Sequence, residues 1–294
     1  MKQLTGILLL CLFSLLGCTP RNRGDCTIQQ IRFHYYGDGS SDIFQEKVQH
    51  LNLLVYDVEH RLIQQRFIGP QQIAQSNTFP LNLPHGAFQL IAIANNQTEF
   101  TSIYVAGKQA SLNDLAIHTR TLQPLIAPNQ SPLYLGGTEV DNYKDKIQLI
   151  EVELKNQTHF KLKVELVGID KLALSPDQLQ LSIQNIPANL QLKEFKKSDC
   201  ITIRPSLQTR SESQLETAVL SLFRPQHLDK TWIEVSSGQQ LLKRISLDKV
   251  LELNPSLSWH LQELTLRVRF TFEHLDVSVS LPEWDMESLE PNFN

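Results

Sequence analysis

Long apolar runs are scarce in this chain. The longest, Ile7–Leu16, spans about ten residues where a helix needs roughly 20 to cross the hydrocarbon core of a bilayer, so a spanning helix is excluded there. An excess of basic charge is also missing: 27 Lys and Arg stand against 31 Asp and Glu, a net of −4, which is not the balance of a nucleic-acid-binding protein. The sequence contains no HExxH, GxSxG, GxGxxG or Walker A pattern. The common signatures of zinc peptidases, serine hydrolases and nucleotide binders are therefore absent. No Cys/His spacing suits a metal, and neither solenoid repeats nor low-complexity segments occur. We expect no enzyme, no catalytic residue, no metal and no cofactor.

What is present begins at the first residues. Lys2 precedes the apolar run, which ends at Leu15-Leu16-Gly17-Cys18 and is followed by the polar, basic Thr19–Asp25. A basic start, a short apolar stretch and small residues at its end read as a signal peptide. The Leu-Leu-Gly-Cys ending resembles the lipobox of bacterial lipoproteins. That resemblance implies cleavage before Cys18 and diacylglycerol on its sulfur. Acyl chains contribute about 0.8 kcal/mol per buried methylene, and two or more give stable anchoring. Residues 1–17 are then the signal, 18–26 a lipidated tether, and the mature chain is one unit more acidic than the full one because Lys2 leaves.

With Cys11 in the signal and Cys18 lipidated, Cys26 and Cys200 remain. An exported chain permits a disulfide, and the pair is equally compatible with two separate buried thiols. The spacing does not decide between them.

From Thr27 onward, alternation with period two dominates, the mark of strands with one buried face. Ile31, Phe33 and Tyr35 share a face, as do Leu51, Leu53 and Val55, with "RLIQQRFI" as hairpin partner of the latter. "GAFQLIAIAN" (Gly86–Asn95) is continuously apolar and reads as a central strand buried on both sides. "SLNDLAIHTRTL", with Ser111 at its cap, and "SLDKVLELNP", with Ser246, read as short crossover helices. A second set of alternations runs from "IEVELKNQTHFKLKVELVGI" through a Ser237-Gly238 turn to "LTLRVRFTFE", whose Leu266, Val268, Phe270 and Phe272 should point inward. The fold class is all-β: two tandem Greek-key sandwiches, residues 27–149 and 150–294, with short crossover helices.

Three features invite chemistry and have plainer readings. His34, His159 and His274 sit at polar strand positions and read as solvated rings. Asp38, Ser40 and Asp42 in "GDGSSD" hint at a calcium loop, but Ile43 stands where that loop requires glycine, so a polar turn is expected. Trp232, Trp259 and Trp284 are few for a glycan-stacking surface.

Several segments together resemble the FimB/Mfa2-type fimbrial proteins of Bacteroidetes. They are "IRFHYYGDGSSDIFQEKVQHLNLLVYDVEHRLIQQRFI", with Asp42-Ile43-Phe44 and Leu53–Asp57 as counterparts of family motifs; "SPLYLGGTEV" (Ser131–Val140); the strand from Ile150; and the last strand ending at Trp284. The chain departs from the pattern at His60, where glycine is common, and at Asn156–Thr158, where an arginine and a small residue are usual. The resemblance implies transthyretin-like sandwiches and a minor subunit that anchors a fimbrium in the outer membrane and limits its length. Its partner is the fimbrial shaft subunit, joined by β-strand exchange. A first strand, Thr27–Tyr36, that stays in its own groove would end growth. No arginine lies between Asp38 and His60, where a shaft subunit would be cut. The tail "DMESLEPNFN" lacks the alternation of a donor strand. The alternatives are an adhesive tip subunit and a surface lipoprotein that binds glycans.

Overall fold

The structure is a computed structural model. It describes residues 29–95, 101–104, 116–119, 132–143, 149–172, 174–191, 196–253, 255–273 and 276–280.

β1 (Gln29–His34) takes the middle of a three-stranded sheet, antiparallel to β4 (Thr78–Leu81) and parallel to β9 (Leu149–Glu153). Facing it is an antiparallel sheet in the order β3 (Leu62–Ile68), β2 (Leu51–Asp57), β5 (Gly86–Ala94), β8 (Tyr134–Asn142). The expected inward residues Ile31, Phe33 and Tyr35 meet Leu51, Leu53, Val55, Leu90 and Ala92 in one core. A short helix, α1 (Phe44–Lys47), adds Phe44 to it, 6.0 Å from the Phe33 ring. Gly69 and Pro70 start a second helix, α2 (Pro70–Gln75), as proline at a first turn favours.

Two strands differ from the sequence reading, one in its burial and one in the unit it joins. β2 is buried on both faces, because Leu54 and Tyr56 join Ile93, Leu133 and Phe223 in a separate cluster. Phe223 comes from the other half of the chain, so this sheet's outer face is an inter-sandwich surface. β9, expected to open the second unit, belongs to the first: it pairs with β1, and Ile150, Val152 and Leu154 lie in the first core. At the seam between the sheets, Leu135 and Lys155 exchange backbone hydrogen bonds of 2.9 and 2.8 Å. The chains approach so closely there that a Cβ on Gly136 would lie 2.6 Å from the carbonyl oxygen of Glu153. This gives the Gly136-Gly137 step its physical reason.

In the second sandwich β10 (His159–Val167) runs parallel to β18 (Thr265–Glu273) and antiparallel to β14 (Gln214–Thr217) and β15 (Leu220–Phe223), with β13 (Leu207–Ser211) and β19 (Asp276–Ser280) outside. Leu266, Val268, Phe270 and Phe272 are all fully buried, as their alternation predicts. The facing sheet is built on β11 (Leu179–Gln191). One of its edges pairs with β12 (Lys196–Ile203), the other with β16 (Trp232–Ser237) and then β7 (Ala116–Thr119). β17 (Gln240–Ser246) and β6 (Thr101–Tyr104) complete it. The Ser237-Gly238 turn forms with Gly238 at φ 57, and Ser246 precedes α3 (Leu247–Glu252), whose Leu247 and Val250 are buried.

Residues 116–119, read as part of a helix in the first unit, are instead the strand β7 in a sheet of the second sandwich. Hydrogen bonding to β6 and to the exposed edge of β11 outweighs a weak helical pattern rich in β-branched residues. Ser111 lies outside the described residues. Among those described, no helix is long and apolar enough to cross a membrane.

Candidate functional site

The site with the most specific construction is the slot that β1 fills, together with the clasp at its end. Ile31 and Phe33 are fully buried along β1, and Tyr35 just beyond it continues the same buried face. Both backbone edges are engaged, Gln29–Arg32 with β4 and Gln30–His34 with β9. The outer face is also tied down. Arg32 Nε donates to Thr78 Oγ1 at 3.2 Å and its guanidinium lies 3.6 Å from Glu151. His34 Nδ1 sits 2.8 Å from Asp42 Oδ2.

The turn after β1 folds back through Asp42. Its Oδ1 accepts the backbone N–H groups of Tyr35 and Phe44, each at 3.0 Å. Burial pushes the Asp42 carboxyl up, but the N–H groups of Tyr35 and Phe44 and the ring of His34 outweigh it and hold the group below the usual carboxylate range.

Asp38 reaches the second sandwich. Its two oxygens accept the backbone N–H of Gln262 at 2.7 Å and of Glu263 at 2.9 Å. Gln262 Nε2 donates to the carbonyl of Gly37 at 2.8 Å, and Asn156 Nδ2 donates to the carbonyl of Gln262 at 2.7 Å. Glu263 accepts the Tyr35 hydroxyl and lies 3.6 Å from Lys47 Nζ and 3.9 Å from Lys161 Nζ. The rings of Tyr35 and Tyr134 are 4.4 Å apart. Burial and then the Glu263 carboxylate push both hydroxyls far above the ordinary tyrosine range, so both stay protonated donors.

Arg224 shapes the segment that carries these acceptors and donors. It is buried, donates through Nε to the carbonyl of His159 at 2.8 Å and through its two Nη atoms to those of Trp259 and Leu261, and stacks on the Trp259 ring at 5.3 Å. One planar guanidinium thus fixes the loop leading to Gln262 and Glu263.

The residues singled out in the sequence fall as follows. Cys18 and Cys26 lie outside the described residues. Cys200, on β12 opposite Pro187, is exposed, so the reading of it as a buried thiol is corrected. Asp38 and Asp42 are not gathered as a cation site, since each carboxylate faces different backbone N–H groups. His159 is not a solvated ring: it is buried, with Nδ1 2.7 Å from Thr158 Oγ1 and its ring 4.3 Å from Phe223. His34 is half-buried against Asp42, and His274 lies outside the described residues. Trp259 packs on Phe160 and Trp232 lies under Arg244, while Trp284 lies outside the described residues. Sequence reasoning missed Arg224, Gln262, Glu263 and Tyr134. Arg224 left one signal, a charge directly continuing the apolar strand "AVLSLF".

Residues 24–289 match the family of fimbrillin-A associated anchor proteins Mfa1 and Mfa2. The chain belongs to this fimbrial anchor family. Its members are structural fimbrial proteins that associate with other fimbrial subunits, which places this chain among the components of a cell-surface fimbria. No curated protein sequence matches it. Among solved structures it is similar to a candidate adhesin from Bacteroides ovatus, with TM-score 0.73 and 15% identity over 88% of this chain and 95% of that one. A candidate adhesin from Bacteroides thetaiotaomicron gives 0.69 and 18% over 90% and 98%. The fimbrial anchor protein Mfa2 from Porphyromonas gingivalis gives 0.65 and 11% over 87% and 95%. At these identities the likeness shows the fold, the two-sandwich architecture described above.

Proposed function

We propose that the chain is the minor subunit that anchors a fimbrium to the outer membrane through a lipid on Cys18 and ends the fibre's growth. The observation that supports this reading is β1 itself: its apolar face is buried, both edges are paired with its own sandwich, and its end is clasped to the second one. An occupied slot offers no groove to an incoming strand. The shaft subunit then joins by β-strand exchange, in which main-chain hydrogen bonds and alternate side-chain pockets hold an added strand. Cys18 lies eleven positions before Gln29, close enough for the lipid and the first strand to act as one mooring.

Replacing Cys18→Ser in the producing cell tests it. The expected result is loss of fatty-acid labelling, fimbriae shed into the medium, and longer fibres. Fimbriae of normal length that stay on the cell would overturn the reading.

A further inference from the structure

Each strand of the first sandwich has one end near the clasp and one end away from it, and the chain enters β1 at the far end. The strand register shows what else is there. Gln29 stands opposite Leu81, Gln30 opposite Leu149, Asp57 opposite Phe88, and Gly86 opposite Asn142. The turn after β2, the turn before β5, the residue after β8 and the start of β9 therefore crowd around the entry of β1. Val58, Tyr143 and Leu149 lie at this end and are 71%, 65% and 41% exposed. Val58 shares a cleft with Ala87, Phe88 and Asp141. No contact inside the described structure accounts for three large apolar side chains presented together at one tip.

We infer that this tip rests on a phospholipid surface, with Val58, Tyr143 and Leu149 entering the headgroup region. The inference builds on the lipid at Cys18 and goes beyond it, because a lipid alone fixes distance and not orientation. The eleven steps from Cys18 to Gln29 reach on the order of 40 Å when fully extended, so a tethered chain keeps this tip near the bilayer. Tyrosine suits the boundary, with an apolar ring and a polar hydroxyl. Three side chains would hold an untethered protein only weakly. A tether raises their effective concentration at the surface and lets a weak contact set the pose. The charge of the tip selects the surface. Glu59, Glu139 and Asp141 share it, and Arg61 already bridges Asp57 and Glu59 at 2.8 Å. Among the described residues the tip is acidic on balance, which favours zwitterionic headgroups over anionic ones.

The test supplies the tether chemically, so that it does not depend on lipidation in the cell. The chain from Cys18 onward, with Cys26→Ser and Cys200→Ser, is coupled through Cys18 to maleimide lipid in phosphatidylcholine and phosphatidylethanolamine vesicles. Tyr143→Trp reports on the tip. Gln239→Trp reports on the exposed hairpin turn at the far end of the second sandwich. Brominated phospholipids are expected to quench the added fluorescence of Tyr143→Trp by half or more and to leave that of Gln239→Trp unchanged. Adding Val58→Asp and Leu149→Asp should abolish the quenching. Equal quenching at both positions, none at either, or quenching that survives the two aspartates would overturn the inference. Stronger quenching with phosphatidylglycerol would overturn the zwitterionic preference. Fatty-acid labelling of Cys18 in cells tests the anchoring reading separately, and either can fail without the other.

Discussion

β1 and β10 hold equivalent places in the two sandwiches. Each lies inside a sheet and runs parallel to a strand from near the end of its unit, β9 in one case and β18 in the other. Their surroundings differ. β10 has nine residues in a six-stranded sheet, and its partner β18 is itself covered by β19. β1 has six residues in a sheet of three, and among the described residues β9 forms an edge with Glu151 and Glu153 facing solvent. Such charges discourage further pairing at an edge. Among the described residues β1 alone joins β4 to β9, as β10 alone joins β14 and β15 to β18, but the sheet around β10 keeps paired strands on either side of it. The continuity of a whole sheet thus rests on six residues at the start of the described chain.

The largest effect should come from the buried phenylalanines of the two systems. Phe33→Ala and Phe270→Ala each remove a fully buried ring, and each should lower stability by about 3–5 kcal/mol. Amide hydrogen exchange should separate them: Phe33→Ala is expected to expose β4 and β9 while β10 and β18 stay protected. Equal loss of protection in β10 would erase the contrast drawn above.

A smaller effect is expected at the clasp. Arg224→Met keeps the bulk but leaves the carbonyls of His159, Trp259 and Leu261 without their donor, at a cost of about 2–4 kcal/mol. With the loop released, calorimetry should resolve two unfolding transitions. A single transition at an unchanged midpoint would show that the clasp does not couple the sandwiches.

The smallest effect is a pH dependence confined to β1. A carboxyl whose folded pKa is depressed contributes stability that is present above its unfolded value near 4 and lost as the pH falls through the folded one. Asp42 is such a group. Asp42→Asn should be less stable than the parent at pH 6 and should lose less as the pH drops from about 4 to 2. Urea midpoints that fall in parallel for both proteins would remove Asp42 from the account.

The sequence made faces legible and pairings not. The inward rows of β1 and β18, the Ser237-Gly238 turn and the helix after Ser246 all follow from local pattern, because alternation reports burial and small or capping residues report turns. Alternation does not say which strand lies alongside. For that reason β9 was read with the strands that follow it, although its partner lies more than a hundred residues earlier. The clasp was hidden for the same reason: Asp38 and Gln262 are 224 positions apart, and each alone looks like an ordinary polar loop residue. His159 misled because a polar residue at the start of a strand gives no sign of the Phe223 ring that covers it.

The direction of β1 has a mechanical consequence under the proposed anchoring. Its entry end leads back along the sequence to Cys18 and its other end is fastened to the second sandwich, so under that anchoring drag on a fimbrium would pull along its axis. The ladder bonds to β4 and β9 lie across that axis. Tension would load both rows together in shear, where bonds break only as a group, instead of peeling them from one end. A six-residue strand mounted in this orientation can resist a steady pull that would unzip a terminal hairpin of the same length.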